Sequence, residues 1–190
     1  MWERQLIDAN NELSGYRENY FNCLSDHFTK IIDSIKNKIP EVYNDISSLE
    51  LKYINGWGDD NFESVFNHNQ TKDRSVGYTS SGTHRSDFIV TSLGKPVRES
   101  GSMSTLVLAC LIINLAKIDV FHVKHGFKPG LLIDDLFVGI ETKNLGPVVK
   151  LLVLSTGNIV LTAPNISKNI LEKICEENQG LKLIAVGENG

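Results

Sequence analysis

An α/β fold with a parallel-sheet core, flanking helices and one long N-terminal helix is predicted by three observations. Residues 2 to 39 carry apolar side chains at helical spacing. Leu131-Leu132-Ile133 is a continuous apolar run that ends in two carboxylates, the texture of a strand buried on both faces. Beyond Gly130, helical and strand patterns alternate, which indicates parallel strands joined by crossover helices.

Each element follows from local pattern. From Trp2 to about Ile39, Leu6, Leu13, Tyr16, Tyr20, Leu24, Phe28, Ile31, Ile32 and Ile35 recur at spacings of three, four and seven, and Pro40 marks the stop. This helix starts at the initiator Met without a cap. Its single stripe calls for a partner helix, and the chain offers none of equal length. Both features lead us to expect a missing upstream segment. Leu49–Ile54 alternates like a half-exposed strand that Gly56 and Gly58 end. Residues 62–69 read as a short helix, and residues 76–79 and 87–91 as strands around the turn Ser80-Ser81-Gly82-Thr83. Leu93-Gly94 is a second turn, and after Ser102 an apolar helix runs to about Val123. Helices over 143–155 and 167–178 then alternate with strands over 158–162 and 181–186.

Composition excludes several function classes. With 190 residues, the chain can bury one good core and a smaller satellite layer. A net charge of -4 argues against a surface that grips nucleic acid all over, although a local basic patch is compatible with it. Cys23, Cys110 and Cys175 are far apart and form no CxxC pair, so neither a zinc site nor a disulfide framework is expected. They read as reduced, buried thiols of a cytoplasmic protein. His122 and His125 stand three apart on a helix end without an evident third ligand. The N-terminus has no signal-peptide pattern, and the run Leu106–Ile113 is too short to span a bilayer. A soluble, intracellular protein without membrane contact is expected.

The sharpest chemical signal is Leu131-Leu132-Ile133-Asp134-Asp135. Ligands of open parallel sheets bind at the carboxyl ends of strands, where both Asp residues would sit. In an ATPase, one carboxylate orients Mg²⁺ and a second positions or deprotonates the attacking water. The plainer alternative is that the pair merely begins a loop. Lys72, Arg74, His84, Arg85, Lys95 and Arg98 form a loose basic cluster near Tyr78. Its alternative is a solvated face with a structural Arg85–Asp87 pair. No phosphate-binding loop of the form GxxxxGK[S/T] is present. The single Gly-Lys is Gly94-Lys95, which Pro96 follows and no glycine precedes at the required spacing.

Gly82-Thr83-His84-Arg85-Ser86-Asp87-Phe88, followed by LLIDD, resembles the C-terminal half of the RecF family. These are bacterial ABC-type, SMC-like ATPases of DNA replication and recombinational repair. The similarity runs from Trp2 (WERQLI) through Gly56-Trp57 and Asp73-Arg74, and weakens after about Asn165. The resemblance implies the C-terminal half of an ABC-ATPase head. Residues 1–75 would be a helical lobe, and residues 76–190 the half with the Walker B-like strand. Asp134 would match the Mg²⁺-associated aspartate and Asp135 the water-polarising carboxylate. Ser102 would match the signature serine, Thr162 the switch position, and residues 138–141 the D-loop. Arg74, His84, Arg85 and Lys95 would be the candidate DNA contacts. ATP and Mg²⁺ are implied as cofactors of an intact RecF-like protein, and none for this chain on its own. Duplex or gapped DNA, an intact RecF-like subunit and other repair proteins are the implied partners, in replication, recombination and the SOS response.

The departures from the family are specific. A signature close to S-R-G-Q is replaced by Ser102-Met103-Ser104-Thr105, without the glycine that permits close backbone approach to phosphate. The D-loop position reads Val138-Gly139-Ile140-Glu141. Three readings follow: a truncated or divergent RecF-like repair protein, a non-catalytic interaction module, and a decayed RecF fragment. A parallel sheet without its other strands would expose an apolar edge and face, so an oligomer, a partner-dependent protein or a marginally stable one is expected.

Overall fold

The computed structural model describes residues 2–136, 138–163, 166–178 and 180–184. Helix α1, Trp2–Lys38, ends where predicted, and Pro40 has a second role there. Proline cannot continue a helix but suits the first helical turn, and it opens α2, Pro40–Ile46, which the apolar pattern did not announce. Strand β1, Leu49–Ile54, matches its expected bounds.

Helix α3, Phe62–Val76, is twice the length expected. The Asn61 side chain caps it by accepting the Glu63 N–H at 2.9 Å, and Gly77 stops it in the left-handed region at φ 81°. The strand expected over residues 76–79 is therefore absent: Val76 is the last helical residue. A single 3₁₀ turn, Thr83–Arg85, leads into β2, Asp87–Ser92. Leu93 and Gly94, with φ of 50° and 77°, form the tight turn to β3, Lys95–Pro96. Strands β1, β2 and β3 make an antiparallel sheet in that order, with Leu49 opposite Ser92 and Ile54 opposite Asp87.

After the one-turn α4, Val97–Ser100, comes α5, Met103–His125. It matches the apolar helix expected from after Ser102 to about Val123. Among the described residues it is the one helix long and apolar enough to cross a membrane by length and composition. Its Leu108, Ile112 and Leu115 are nonetheless buried in the protein core. That core also answers the search for a partner to α1. Leu24, Phe28, Ile31, Ile32 and Ile35 of α1 pack into the same cluster, with α5 against α1. Only the C-terminal half of α1 is covered in this way; Trp2, Leu13, Tyr16 and Tyr20 are exposed.

The parallel sheet consists of two short strands, β4, Leu131–Ile133, and β5, Ile159–Leu161, joined through α6, Thr142–Ser155. Helix α7, Lys168–Glu177, follows. Leu131, Ile133, Ile159 and Leu161 pack against the core. Leu132 and Val160, paired in register, point the other way and are 78% and 59% exposed. So β4 is covered on one face rather than two, which corrects its reading as a strand buried on both faces. Residues 181–184 form no strand, contrary to expectation, and residues 185 and 186 lie outside the described residues. The thiols also need correction. Cys110 is exposed and Cys23 and Cys175 are half-buried, and all three are free.

The α1–α5 contact should dominate stability. Phe28, 1% exposed, loses its packing when changed to Ala, at a cost of about 3–5 kcal/mol. Leu13→Ala, at an exposed position of the same helix, should stay within about 0.5 kcal/mol. Urea denaturation of both variants checks the contrast, and equal costs would show that the two halves of α1 are packed alike.

Candidate functional site

The carboxylates sit where β4 runs out. The strand delivers Asp134 and Asp135 to its carboxyl end, beside the end of β5, where Thr162 follows Leu161. The Thr162 N–H donates to the Ile133 carbonyl at 3.0 Å and continues the parallel ladder by one step. Its side chain then does two things. The Thr162 hydroxyl donates to Asp134 Oδ1, and the Thr162 oxygen accepts the Asp135 N–H at 2.8 Å. Asp135 has φ 51°, a left-handed conformation that Asp tolerates better than most residues. The chain thereby turns sharply, and both carboxylates remain exposed to solvent.

Buried Leu136 and Ile140 anchor the loop that follows, and between them Val138 is exposed. Gly139, at φ 87°, lies against the first turn of α5. A Cβ there would stand 2.4 Å from Met103 Cγ, so any other residue would strain the left-handed backbone and displace the Met103 side chain. Glu141 pairs with Lys143 at 2.6 Å, and its carboxylate holds the Lys143 ammonium above the ordinary lysine range. Ser102 is the N-cap of α5: its hydroxyl oxygen accepts the Thr105 N–H at 3.1 Å and is hydrogen-bonded to Thr105 Oγ1 at 2.9 Å. The structure thus brings Asp134, Asp135 and Thr162 together. Ser102 is tied to them only indirectly, through the Met103–Gly139 contact.

The basic residues do not form one patch. Arg74, near the end of α3, pairs with Glu3 at 3.1 Å. The His84 ring is hydrogen-bonded to the Thr79 carbonyl at 3.0 Å, and Arg85 is exposed beside it. No Arg85–Asp87 ion pair forms among the described residues; Asp87 Oδ1 accepts the Phe88 N–H at 2.8 Å instead. Lys95 pairs with Ser92 at the far end of β2, about 17 Å along the strand from Asp87 at about 3.4 Å per residue, whereas Arg85 stands just before the strand begins.

Two residues were missed in the sequence. Buried Asn10 accepts the Thr83 N–H at 2.8 Å, and Arg17 donates to the Thr83 carbonyl. Together they brace the GTHRSD turn against α1. The legible signal is their position: 6, 10, 13 and 17 share one helical face, so two polar residues interrupt an apolar stripe. Gly56 supports the same turn, because a Cβ there would stand 2.4 Å from the Gly82 carbonyl oxygen.

For Mg²⁺ the fit is partial and of the right chemistry. Asp134 is an exposed carboxylate with one oxygen oriented by Thr162. Magnesium characteristically takes one or two carboxylates and fills its shell with water and phosphate. Among the described residues no group of three or more His, Cys, Asp or Glu could enclose a metal on its own.

No family model matches the chain. It is similar to curated proteins described as "DNA replication and repair protein RecF". One from Thioalkalivibrio sulfidiphilus is 27% identical over 76% of this chain and 38% of its own length. Another from Escherichia coli is 23% identical over 98% of this chain and 50% of its own length. The chain therefore spans about half the length of the curated relatives it matches or less. A solved structure of the recombination mediator protein RecF-ATPrS in the RecFOR pathway shares the fold, with a TM-score of 0.63 at 21% identity. That match covers 88% of this chain and 44% of the solved one. In sequence and in fold, the chain is similar to one half of RecF.

Changing Thr162 to Val removes both hydroxyl-mediated bonds at nearly constant volume. Each contributes about 0.5–1.5 kcal/mol, and the Asp135 amide should exchange with solvent markedly faster. Thr162→Ser should retain slow exchange. Identical exchange in parent and Val variant would show that the hydroxyl does not organise the turn.

Proposed function

We propose that this chain is the carboxylate-bearing half of a RecF-like DNA replication and recombinational repair protein. It acts on DNA with a polypeptide segment that supplies the phosphate-binding loop. The observation that carries this reading is the Asp134–Thr162–Asp135 arrangement at the carboxyl ends of two parallel strands. In this reading Asp134 holds Mg²⁺ with its Thr162-oriented carboxylate, and Asp135 aligns or deprotonates the attacking water. Bound Mg²⁺ and the phosphate loop would supply charge neutralisation on the phosphates. Here nothing in the sequence cradles a triphosphate, so the aiming groups have no target until that segment docks.

The open sheet face favours the same reading. Parallel sheets are covered on both faces in nearly all proteins, and Leu132 with Val160 presents an apolar face suited to a covering helix or layer. Non-catalytic docking on a partner through that surface is the second reading. It is favoured by the altered signature Ser102-Met103-Ser104-Thr105, whose serine is occupied in capping α5. Cytoplasmic location, duplex or gapped DNA, an intact RecF-like subunit and a role in the SOS response belong to the proposal, on the strength of the relatives' names and the family resemblance.

Purified alone, the chain should show no ATP turnover. Mixed with the phosphate-loop half of a RecF relative, it should gain turnover that Asp135→Asn lowers by roughly 10²-fold or more. Turnover by the chain alone, abolished by Asp135→Asn, would sink the two-part reading. An inert mixture that nonetheless forms a stable complex would favour the docking module. Duplex DNA binding, followed by fluorescence anisotropy, should weaken steeply with added salt, and Arg85→Gln should reduce the logarithmic salt slope by about one.

A further inference from the structure

A cavity of about 260 Å³ lies between the first turn of α1 and the C-terminal half of α3. Phe66 is its buried wall. Trp2 of α1 and Tyr78, just beyond α3, line it as well and are 63% and 60% exposed. Tyr78 leaves the helix axis there because Gly77 stops α3 in the left-handed region. Asp73 belongs to the same lining. Both of its carboxylate oxygens are shut off from solvent, and among the described residues neither has a hydrogen-bond partner. A buried carboxylate left unpaired is among the costliest arrangements in a protein, and such groups are rare unless something completes them. The nearest cation in sequence does not: Arg74 is turned to Glu3, at 3.1 Å, on the exposed rim.

We infer that this cavity receives a guanidinium head group, held two-pronged by Asp73 and stacked on the rings of Trp2 and Tyr78. Two features select that chemistry over other cations. Asp73 offers two free oxygens side by side, which match the paired N–H donors of a guanidinium, whereas an ammonium is a compact point charge. Aromatic faces beside a carboxylate suit a flat, weakly hydrated cation, which stacks as well as pairs. The charge agrees, since Glu3 and Asp73 give the lining two carboxylates against the single guanidinium of Arg74. An exposed ion pair such as Glu3–Arg74 is weak, so it parts at little cost to admit the ligand. The volume lies below the roughly 300–1,000 Å³ of sites that enclose a whole small molecule, so the cavity takes the head alone. A free guanidino compound and an arginine side chain on a partner protein present that same head. This site is independent of the DNA-acting reading, because none of the carboxylate corner at β4 takes part in it.

The test uses the full chain with Trp57 changed to Phe, which leaves Trp2 as the single indole and its fluorescence as the readout. Methylguanidinium should produce a saturable change with a Kd on the order of 1 mM, the scale open to so small a ligand. Methylammonium, of equal charge, should bind roughly tenfold more weakly or not at all. Asp73→Asn should abolish the saturable change. It should also raise the Tm of the unliganded chain by about 2–4 °C, because an unpaired buried charge is removed. Arg74→Gln, which takes a competing cation from the rim, should tighten methylguanidinium binding. A blocked Gly-Arg-Gly peptide separates the sources: affinity well above that of methylguanidinium assigns the site to a protein-borne arginine, and equal affinity to a free guanidino compound. No saturable response to either probe overturns the inference, as does equal binding of methylammonium. An Asn variant that still binds methylguanidinium overturns it too. So does an Asn variant of lowered Tm, which would show that Asp73 already has a partner within the chain.

Discussion

The packing of the C-terminal half of α1 against α5 is the contact on which everything else hangs. It joins segments far apart in sequence, and the same cluster takes in Leu49 of β1, Leu136 after β4, and Leu145, Val148 and Leu152 of α6. The antiparallel and parallel sheets share no strand. What relates one to the other is the helical layer between them, with its apolar residues at helical spacing. Burial of this kind acts without direction, so the precise placement of polar groups depends on caps, turns and close glycine contacts laid over it.

Much of this was legible in the chain because period and punctuation are local properties. The stripe from Leu24 to Ile35 declared α1, alternation declared β1, and the Leu93-Gly94 pair declared the hairpin turn. What misled was competition between local signals. Residues 76–79 have strand-like composition, yet a helix already propagating from Phe62 continues until Gly77 offers a left-handed stop. Pro40, one residue beyond α1, was read only as an ending, because a proline that stops one helix and starts another looks the same in either role.

The site divides in the same way. LLIDD gave the position of the carboxylates, since a hydrophobic run followed by acids is a linear pattern. The basic residues near each other in sequence were placed by the fold at separate ends of β2 and α3, because strand length, invisible in a charge count, separates them. Thr162 was identified through family resemblance alone. Its two bonds to the Asp134–Asp135 corner depend on the parallel register of β4 and β5, which no spacing along the chain encodes. Asn10 and Arg17 were hidden for the opposite reason: they stand in a stripe otherwise read for its apolar members.

The missing side chain of Gly139 has a mechanical consequence. With Met103 seated in the space a Cβ would fill, the loop after β4 lies close against the first turn of α5. Any side chain added at position 139 would displace Met103 or part the loop from the helix, and the wedge would open beside the two carboxylates.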